Sequence, residues 1–182
     1  YRLLRGETAQ QGNGFYSASE FDLSKLLTSE RRVLELGRSC IDPQHRGGIA
    51  LHMMWNGLAQ YVHDHAIEVL FGSASFMGRD VQAFQHALSF LHYNHLAPDD
   101  LRVVAQTQNR LDMDILQSDQ VDKLTALKQM PPLIKAYLRL GGFVGQGAFV
   151  DHAFNTIDVC LLMDTQRMSV KYKAKYEGEL TR

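Results

Sequence analysis

The chain has 182 residues, 45% of them hydrophobic and 21% charged, a composition typical of a globular domain with a core of ordinary size. Its net charge of −1 does not favour nucleic acid as a partner, and no apolar stretch approaches the ~20 residues of a membrane-spanning helix. Two cysteines, Cys40 and Cys160, suggest neither a disulfide nor a zinc framework, so we expect a reduced, cytoplasmic protein.

Predicted strands and helices alternate in the first half of the chain. Apolar residues at helical or strand spacing, with glycine and proline at the breaks, define these elements. In chain order they are a strand at 1–4, a polar loop at 5–20, a strand at 33–41, a helix at 48–65, a strand at 69–76 and a helix at 79–95. The alternation predicts a mostly parallel α/β core.

The pattern is looser beyond Pro98. Two prolines predict the start of a short helix and two glycines its end. The predicted elements are a strand or an inserted segment at 101–105, a polar helical linker at 113–129, a helix from 131 to 142, and an antiparallel pair of strands at 148–154 and 157–163.

Most of the chemical information lies in the segment VLELGRSCIDPQHRGGIA, residues 33–50, in which a strand runs into a glycine turn that opens a helix. Gly47 and Gly48 let the backbone approach a ligand closely. The first N–H groups of a helix have no partner inside the helix and point outward from its start. The segment therefore predicts an anion site at a helix N-terminus.

The turn Gln44-His45-Arg46-Gly47 resembles the Gln/Arg-x-x-Gly turn of the GCN5-related N-acyltransferases, whose backbone amides hold the phosphates of an acyl-carrying pantetheine. The wider resemblance is to the ornithine lipid N-acyltransferase (hemolysin-like) branch, which uses acyl carrier protein. It rests on FYSASEFDLSKL (15–26), VLELGRSCIDPQHRGG (33–48), WNG (55–57), GSASF (72–76), PPLIKAYLRLGG (131–142) and DHAFNTIDV (151–159).

This resemblance implies an α/β fold of the GCN5-related N-acyltransferase type, with a mixed central sheet flanked by helices. Residues 1–182 would form a single acyltransferase domain, and the first strand and helices of the family would precede Tyr1. The implied reaction moves a long-chain, 3-hydroxylated acyl group to the amine of ornithine or a similar amino acid. The acyl-phosphopantetheine of acyl carrier protein, or acyl coenzyme A, would be the co-substrate. We expect no permanently bound cofactor and no metal.

Glu35 is the expected catalytic proton acceptor, because burial on the strand would raise its pKa. Arg38 would orient Glu35 or the donor phosphate, and the two resemble the Glu-x-x-Arg pair of the acyl-homoserine lactone synthases. An ion pair that only fixes the sheet is the alternative. Backbone amides near Ser39 to Ile41 are the expected oxyanion donors. The expected donor-binding residues are Cys40, Ile41, Gln44, Arg46, Gly47, Gly48 and Ser73.

Asp151, Asn155 and Asp158 are the expected substrate-binding residues, since they match the acidic, FN-containing stretch of the ornithine branch and their carboxylates suit a cationic acceptor. A β-hairpin turn is the alternative, because Asn and Asp are favoured in turns. Two other functions stay open, an acyl-homoserine lactone synthase and a non-catalytic acyl-binding domain.

A basic segment near the C-terminus is the last feature, and it comprises Arg167, Lys171, Lys173 and Lys175. Solvated surface is the simplest interpretation. The functional alternatives are contact with an acidic partner such as acyl carrier protein, or peripheral contact with anionic headgroups on the inner membrane face.

Overall fold

The computed structural model describes residues 1–46 and 49–167, without the side chains of residues 51 and 52. Its strands are β1 Arg2–Arg5, β2 Phe21–Asp22, β3 Val33–Gly37, β4 Val69–Met77, β5 Val104–Ala105, β6 Arg110–Leu111, β7 Phe143–Val144, β8 Ala148–Asp151 and β9 Thr156–Asp164. Its helices are α1 Gly6–Gln11, α2 Ser24–Leu27, α3 Ala50–Asp64, α4 Val81–His95, α5 Lys123–Gln129 and α6 Pro132–Arg139. None of these helices is both long enough and apolar enough to cross a bilayer.

A seven-stranded mixed sheet forms the centre of the described chain, in the order β1-β3-β4-β9-β8-β6, with β7 also paired to β9. β3 and β4 run parallel, whereas the other strand pairs in this sheet are antiparallel. The mixed sheet is confirmed, and the expectation of a mostly parallel core is wrong. The reason lies after α4, which does not lead directly into another parallel strand. Residues 96–142 follow it first, and β9 then pairs antiparallel with β4 along its whole length.

Alternating side chains divide the core between the two faces of the sheet, as strand geometry requires. On β4, Leu70 and Ala74 pack with residues of α4 and α6 such as Leu91 and Ile134. Phe71 points to the opposite face and joins a second buried cluster. That cluster includes Phe15, Phe21, Leu23, Leu26, Leu101 and Val103. We name the two sides the helix face and the loop face.

Several elements depart from the sequence prediction. Residues 5–20 are not a continuous loop, because they contain α1 and a 3-10 turn at Tyr16–Ser19. β3 ends at Gly37 rather than at 41, since Arg38 adopts a left-handed backbone with φ of 53°. The linker at 113–129 is helical over a short 3-10 turn at Ser118–Gln120 and over α5. The helix that Pro131-Pro132 predicts and the final strand pair are confirmed.

An ion pair fixes the sheet where β3 and β4 begin and β9 ends. Two guanidinium nitrogens of Arg31 donate to the two oxygens of Asp164 at 2.8 and 2.7 Å. Asp164 is only 2% exposed. Burial raises the pKa of this carboxyl, but the Arg31 hydrogen bonds and the Gln166 amide outweigh that effect and leave the pKa below its ordinary value. The strands are therefore tied together at this end of the sheet.

Candidate active site

β3 and β4 separate at their carboxyl ends. They pair from Val33 opposite Val69 to Glu35 opposite Phe71. Beyond that point β3 continues its pairing with β1, and β4 continues its pairing with β9. Gly72 marks the last close approach, because a Cβ at this position would overlap the carbonyl oxygen of Leu36. Any side chain here would meet backbone, so the point of separation requires glycine.

A cavity of about 290 Å³ opens at this separation on the helix face. We name it the helix-side cavity. Gly37, Ser39 and Gly72 line it from the separating strands and the loop that follows β3, while Leu133 and Tyr137 line it from α6. Its walls combine apolar side chains with exposed backbone of two strands, which suits an extended ligand that carries both amides and alkyl groups.

A second cavity, of about 320 Å³, opens on the loop face. We name it the acidic cavity, because four carboxylate side chains line it against two guanidinium groups. The carboxylates belong to Glu20, Glu35, Asp151 and Asp158, and the guanidinium groups to Arg2 and Arg38. Met77 and Phe154, both largely exposed, also line it. The cavity therefore suits a ligand with a net positive charge.

The two cavities meet between the separated strands. Five residues line both of them: Leu36, Gly37, Arg38, Ser73 and Ser75. A ligand on the helix face and a ligand on the loop face can therefore touch each other at this gap.

Glu35 lies on the loop face of β3 and is only 1% exposed. Its carboxylate accepts the backbone N–H of Ser17 at 2.7 Å and that of Tyr16 at 3.1 Å. Among the described residues its ion-pair partner is Arg2, at 3.5 Å, and not the expected Arg38. Glu35 therefore holds the 3-10 turn that precedes Glu20 against the sheet.

Glu20 was not predicted from the sequence. It is 3% exposed, and its Oε2 accepts the hydroxyl of Ser73 at 2.5 Å. Burial raises the pKa of Glu20 to about 7, helped by the negative charges of Asp158, Asp151 and Glu35 and opposed by the Ser73 hydrogen bond. One feature of the sequence could have indicated Glu20 as a site residue. It lies inside the segment FYSASEFDLSKL, directly before Phe21, which is buried.

Asp158 and Asp151 extend this group from β9 and β8. Single carboxylate oxygens of Glu20, Asp151 and Asp158 lie within 4.8 Å of one another, close enough to share one cation. Asp158 is 3% exposed, and its Oδ2 accepts the Thr156 hydroxyl at 3.1 Å. Its buried Oδ1 has no hydrogen-bond partner among the described residues. Burial raises the pKa of Asp158, although the neighbouring hydroxyls of Ser75 and Thr156 favour the ionised form.

Asp151 belongs both to the β8–β9 turn and to the lining of the acidic cavity. Its Oδ1 accepts the backbone N–H groups of Ala153 and Phe154 at 2.7 and 2.9 Å, so it caps the β8–β9 hairpin while it lines the acidic cavity. Asn155 belongs to the turn, with φ of 56° and its side-chain oxygen bound by Arg79 at 2.8 Å. It does not line the acidic cavity.

The predicted donor-binding residues lie in the loop and turn after β3. Cys40 is exposed. Gln44 lies in a 3-10 turn capped by Asp42. The Arg46 side chain donates to the carbonyl oxygen of Ile41 at 2.9 Å. Gly47 and Gly48 lie outside the described residues, as do Lys171, Lys173 and Lys175 of the basic segment.

This geometry can bring an acyl thioester to an amine. The helix-side cavity offers strand backbone to an extended chain, and the acidic cavity offers carboxylates to an ammonium. The reacting atoms would meet at the gap between β3 and β4. Direct attack of the amine on the thioester requires no covalent enzyme intermediate.

The fold and this site define an N-acyltransferase of the GNAT class, and a family model described as an acetyltransferase (GNAT) domain matches residues 1–56. The chain belongs to the L-ornithine N(alpha)-acyltransferase family. It is 57% identical over 176 residues to the enzyme of that name from Rhodobacter capsulatus, with 97% of this chain and 67% of the relative covered.

Two further relatives carry the same name. The protein from Brucella abortus is 42% identical, with 100% of this chain and 66% of the relative covered. The protein from Agrobacterium fabrum is 44% identical, with 100% and 63% covered. The chain thus spans about two thirds of the length of these curated relatives. No solved structure matches the chain.

Proposed function

We propose that this protein transfers a long-chain, 3-hydroxylated acyl group from the phosphopantetheine of acyl carrier protein to the α-amine of L-ornithine. The observation that carries the proposal is the pair of cavities on opposite faces of the sheet, joined where β3 and β4 separate. One cavity would take the donor and the other the acceptor, so that both bind at the same time.

The helix-side cavity suits the donor. Beyond Glu35 the β3 backbone no longer pairs with β4, so its polar groups on that side can bond to the amides of pantetheine. A phosphopantetheine on a carrier protein has one phosphate, which the turn before α3 would hold through its backbone amides. Arg46 is exposed on this turn, where it can contact the acidic surface of a carrier protein.

The acidic cavity suits the acceptor. Ornithine has two ammonium groups and one carboxylate, which matches a lining with an excess of carboxylates and two guanidinium groups. Arg2 or Arg38 would bind the substrate carboxylate. Asp151 and Asp158 would bind the ammonium that does not react, because an unpaired charge in a buried setting is costly. The names of the relatives support this acceptor.

The test uses purified full-length protein with a 3-hydroxyacyl thioester on acyl carrier protein or on coenzyme A. Acceptors are L-ornithine and L-norvaline, which has the same carbon chain without the second amine. Mass spectrometry of the amide should show that ornithine is preferred by kcat/KM about 10-fold or more, an interaction of ~1.4 kcal/mol.

The carrier-protein donor should be preferred, and its use should fall as salt rises, because salt screens contacts between exposed charges. Equal use of norvaline would contradict the acceptor assignment. Equal use of both donors without a salt effect would contradict the donor assignment, and the absence of any amide would leave a non-catalytic acyl-binding domain as the better description.

A further inference from the structure

We propose that Glu20 is the catalytic residue that accepts the proton from the attacking ammonium, a role that rests on the acyl transfer proposed above. Glu20 lines the acidic cavity and contacts Ser73, which lines both cavities at the gap where the two substrates would meet. The carboxylate therefore lies beside the point at which the new bond forms.

The backbone around Glu20 is fixed on both sides, as a catalytic base requires. The N–H of Glu20 donates to the carbonyl oxygen of Ser17 at 3.1 Å, and its own carbonyl oxygen accepts the N–H of Gln106 at 2.8 Å. The next residue, Phe21, is fully buried and begins β2. The side chain thus projects into the acidic cavity from a rigid segment.

Glu35 is less suited to the same role. Its oxygens already accept two backbone N–H groups and the Arg2 guanidinium. Both carboxylate oxygens are therefore occupied as acceptors, and neither is free to take a proton from the substrate ammonium. Glu20 accepts a single side-chain hydroxyl among the described residues. Glu35 is therefore the positioning residue for the turn that carries Glu20.

The charges around Glu20 suit a base that works near neutral pH. Negative or acidic groups face it from four elements, and guanidinium groups approach from two others. The acidic groups are Tyr16 on its own turn, Glu35 on β3, Asp151 on β8, and Asp158 and Cys160 on β9; the cations are Arg2 on β1 and Arg38 after β3. Burial, together with the negative charges of Asp158, Asp151 and Glu35, holds the pKa of Glu20 at about 7, which is near the optimum for proton transfer at neutral pH. The raised pKa values of Tyr16 and Cys160 keep both groups neutral there.

The reaction balances as follows. The ionised Glu20 takes one proton from the acceptor ammonium, and the free electron pair of the amine forms an N–C bond with the thioester carbon. When the intermediate collapses, the C–S bond breaks and the sulfur leaves with its electron pair. The second proton lost by nitrogen goes to that sulfur, so the products are an amide, a thiol and a protonated Glu20. Glu20 then returns its proton to solvent.

The first test compares Glu20→Gln with Glu7→Gln, a matched change at an exposed glutamate of α1. The profile of kcat against pH, taken at saturating ornithine, reports groups in the bound complex. The parent should lose activity as the pH falls below about 7, because Glu20 becomes protonated. Glu20→Gln should lower kcat about 100-fold or more and abolish this acid limb, whereas Glu7→Gln should retain both kcat and the limb.

Two neighbouring changes should move the acid limb in opposite directions. Ser73→Ala removes a hydrogen bond that lowers the pKa of Glu20, so the limb should move to higher pH. Asp158→Asn removes a negative charge that raises this pKa, so the limb should move to lower pH. A structural role for Glu20 would produce neither shift, and these variants keep the test valid even where Glu20→Gln does not fold.

An acid limb that persists in folded Glu20→Gln, or that stays in place in both neighbouring variants, would overturn the assignment. Failure of the proposed function looks different, because the parent protein itself would then form no ornithine amide. Binding of the thioester, measured by the donor KM, should be the same in Glu20→Gln and the parent, since Glu20 acts only on the amine.

Discussion

Glu35→Gln should destabilise the protein without removing the catalytic base. Glu35 is 1% exposed and its carboxylate accepts the N–H groups of Tyr16 and Ser17. A glutamine keeps one acceptor oxygen and places an NH₂ group against the other donor. The change weakens one charge-assisted bond and leaves a buried N–H unsatisfied, which together cost about 3 kcal/mol. The Arg2 contact adds little, because that side chain is 44% exposed.

Urea unfolding followed by tryptophan fluorescence or circular dichroism measures this loss. The urea concentration at the midpoint of unfolding should fall while the slope m stays constant. In a separate thermal unfolding experiment, the melting temperature should fall by about 6–12 °C for a domain of this size. Glu7→Gln is the control, since an exposed substitution of the same kind should change stability by no more than about 0.5 kcal/mol.

Activity measured well below the melting temperature separates the two roles of Glu35. A positioning residue should lower kcat because the turn before Glu20 loosens, but the acid limb of the pH profile should persist. An unchanged free energy of unfolding, combined with loss of both kcat and the acid limb, would refute this reasoning and return Glu35 to the role of base that the sequence predicts.

Three further changes test the site and its supports. Gly72→Ala places a Cβ against the carbonyl oxygen of Leu36. We expect the free energy of unfolding in urea to fall by about 1–3 kcal/mol and the KM for the donor to rise. If both values equal those of the parent protein, the two strands are not held this closely. Asp158→Asn should raise the free energy of unfolding at pH 8, because burial raises the pKa of this carboxyl and so disfavours its ionised form in the folded protein. The same change should raise the KM for ornithine about 10-fold. Lower stability together with an unchanged KM would contradict this. Arg31→Met removes two hydrogen bonds from the buried Asp164 carboxylate and leaves it the half-exposed Arg167 guanidinium at 3.3 Å and the Gln166 amide. We therefore expect a loss of about 2–3 kcal/mol near neutral pH, less than for a buried charge with no partner. The depressed pKa of Asp164 means that the contribution of the ion pair is lost as the pH falls through that pKa, so parent and variant should converge in acid unfolding.

The sequence pattern predicted correctly those helices and strands whose ends and periodicity depend on their own residues. α4 begins at the Asp80 cap, α6 begins at Pro131-Pro132 and ends just before Gly141, and β9 is a nearly continuous apolar run, so local pattern was sufficient. Strand direction was predicted less well, because it depends on how residues 96–142 return the chain to the sheet and no local signal encodes that path. The left-handed backbone at Arg38 was also missed, since arginine rarely adopts it.

The candidate site was predicted in part for a related reason. The sequence predicts Glu35, Ser73, Asp151 and Asp158 as site residues, and all four line the acidic cavity, where Ser73 also reaches the gap between β3 and β4. Glu20 was missed because its pKa is raised first by burial in the folded chain and then by charges such as that of Asp158, which is 138 positions away and forms no sequence pattern with it. Long-range electrostatics of this kind becomes visible only when the strands are in place.

The gap between the two strands has a consequence for release of the product. An amide formed there would have its amino-acid head on the loop face and its acyl chain on the helix face, threaded between β3 and β4. The head carries the charge held by the carboxylates, whereas the chain is apolar, so the product leaves only when two chemically different cavities release their halves together. Under the proposed function, turnover should slow with the bulk of the amino-acid side chain more than with donor reactivity, and departure of the product would then govern the steady-state rate.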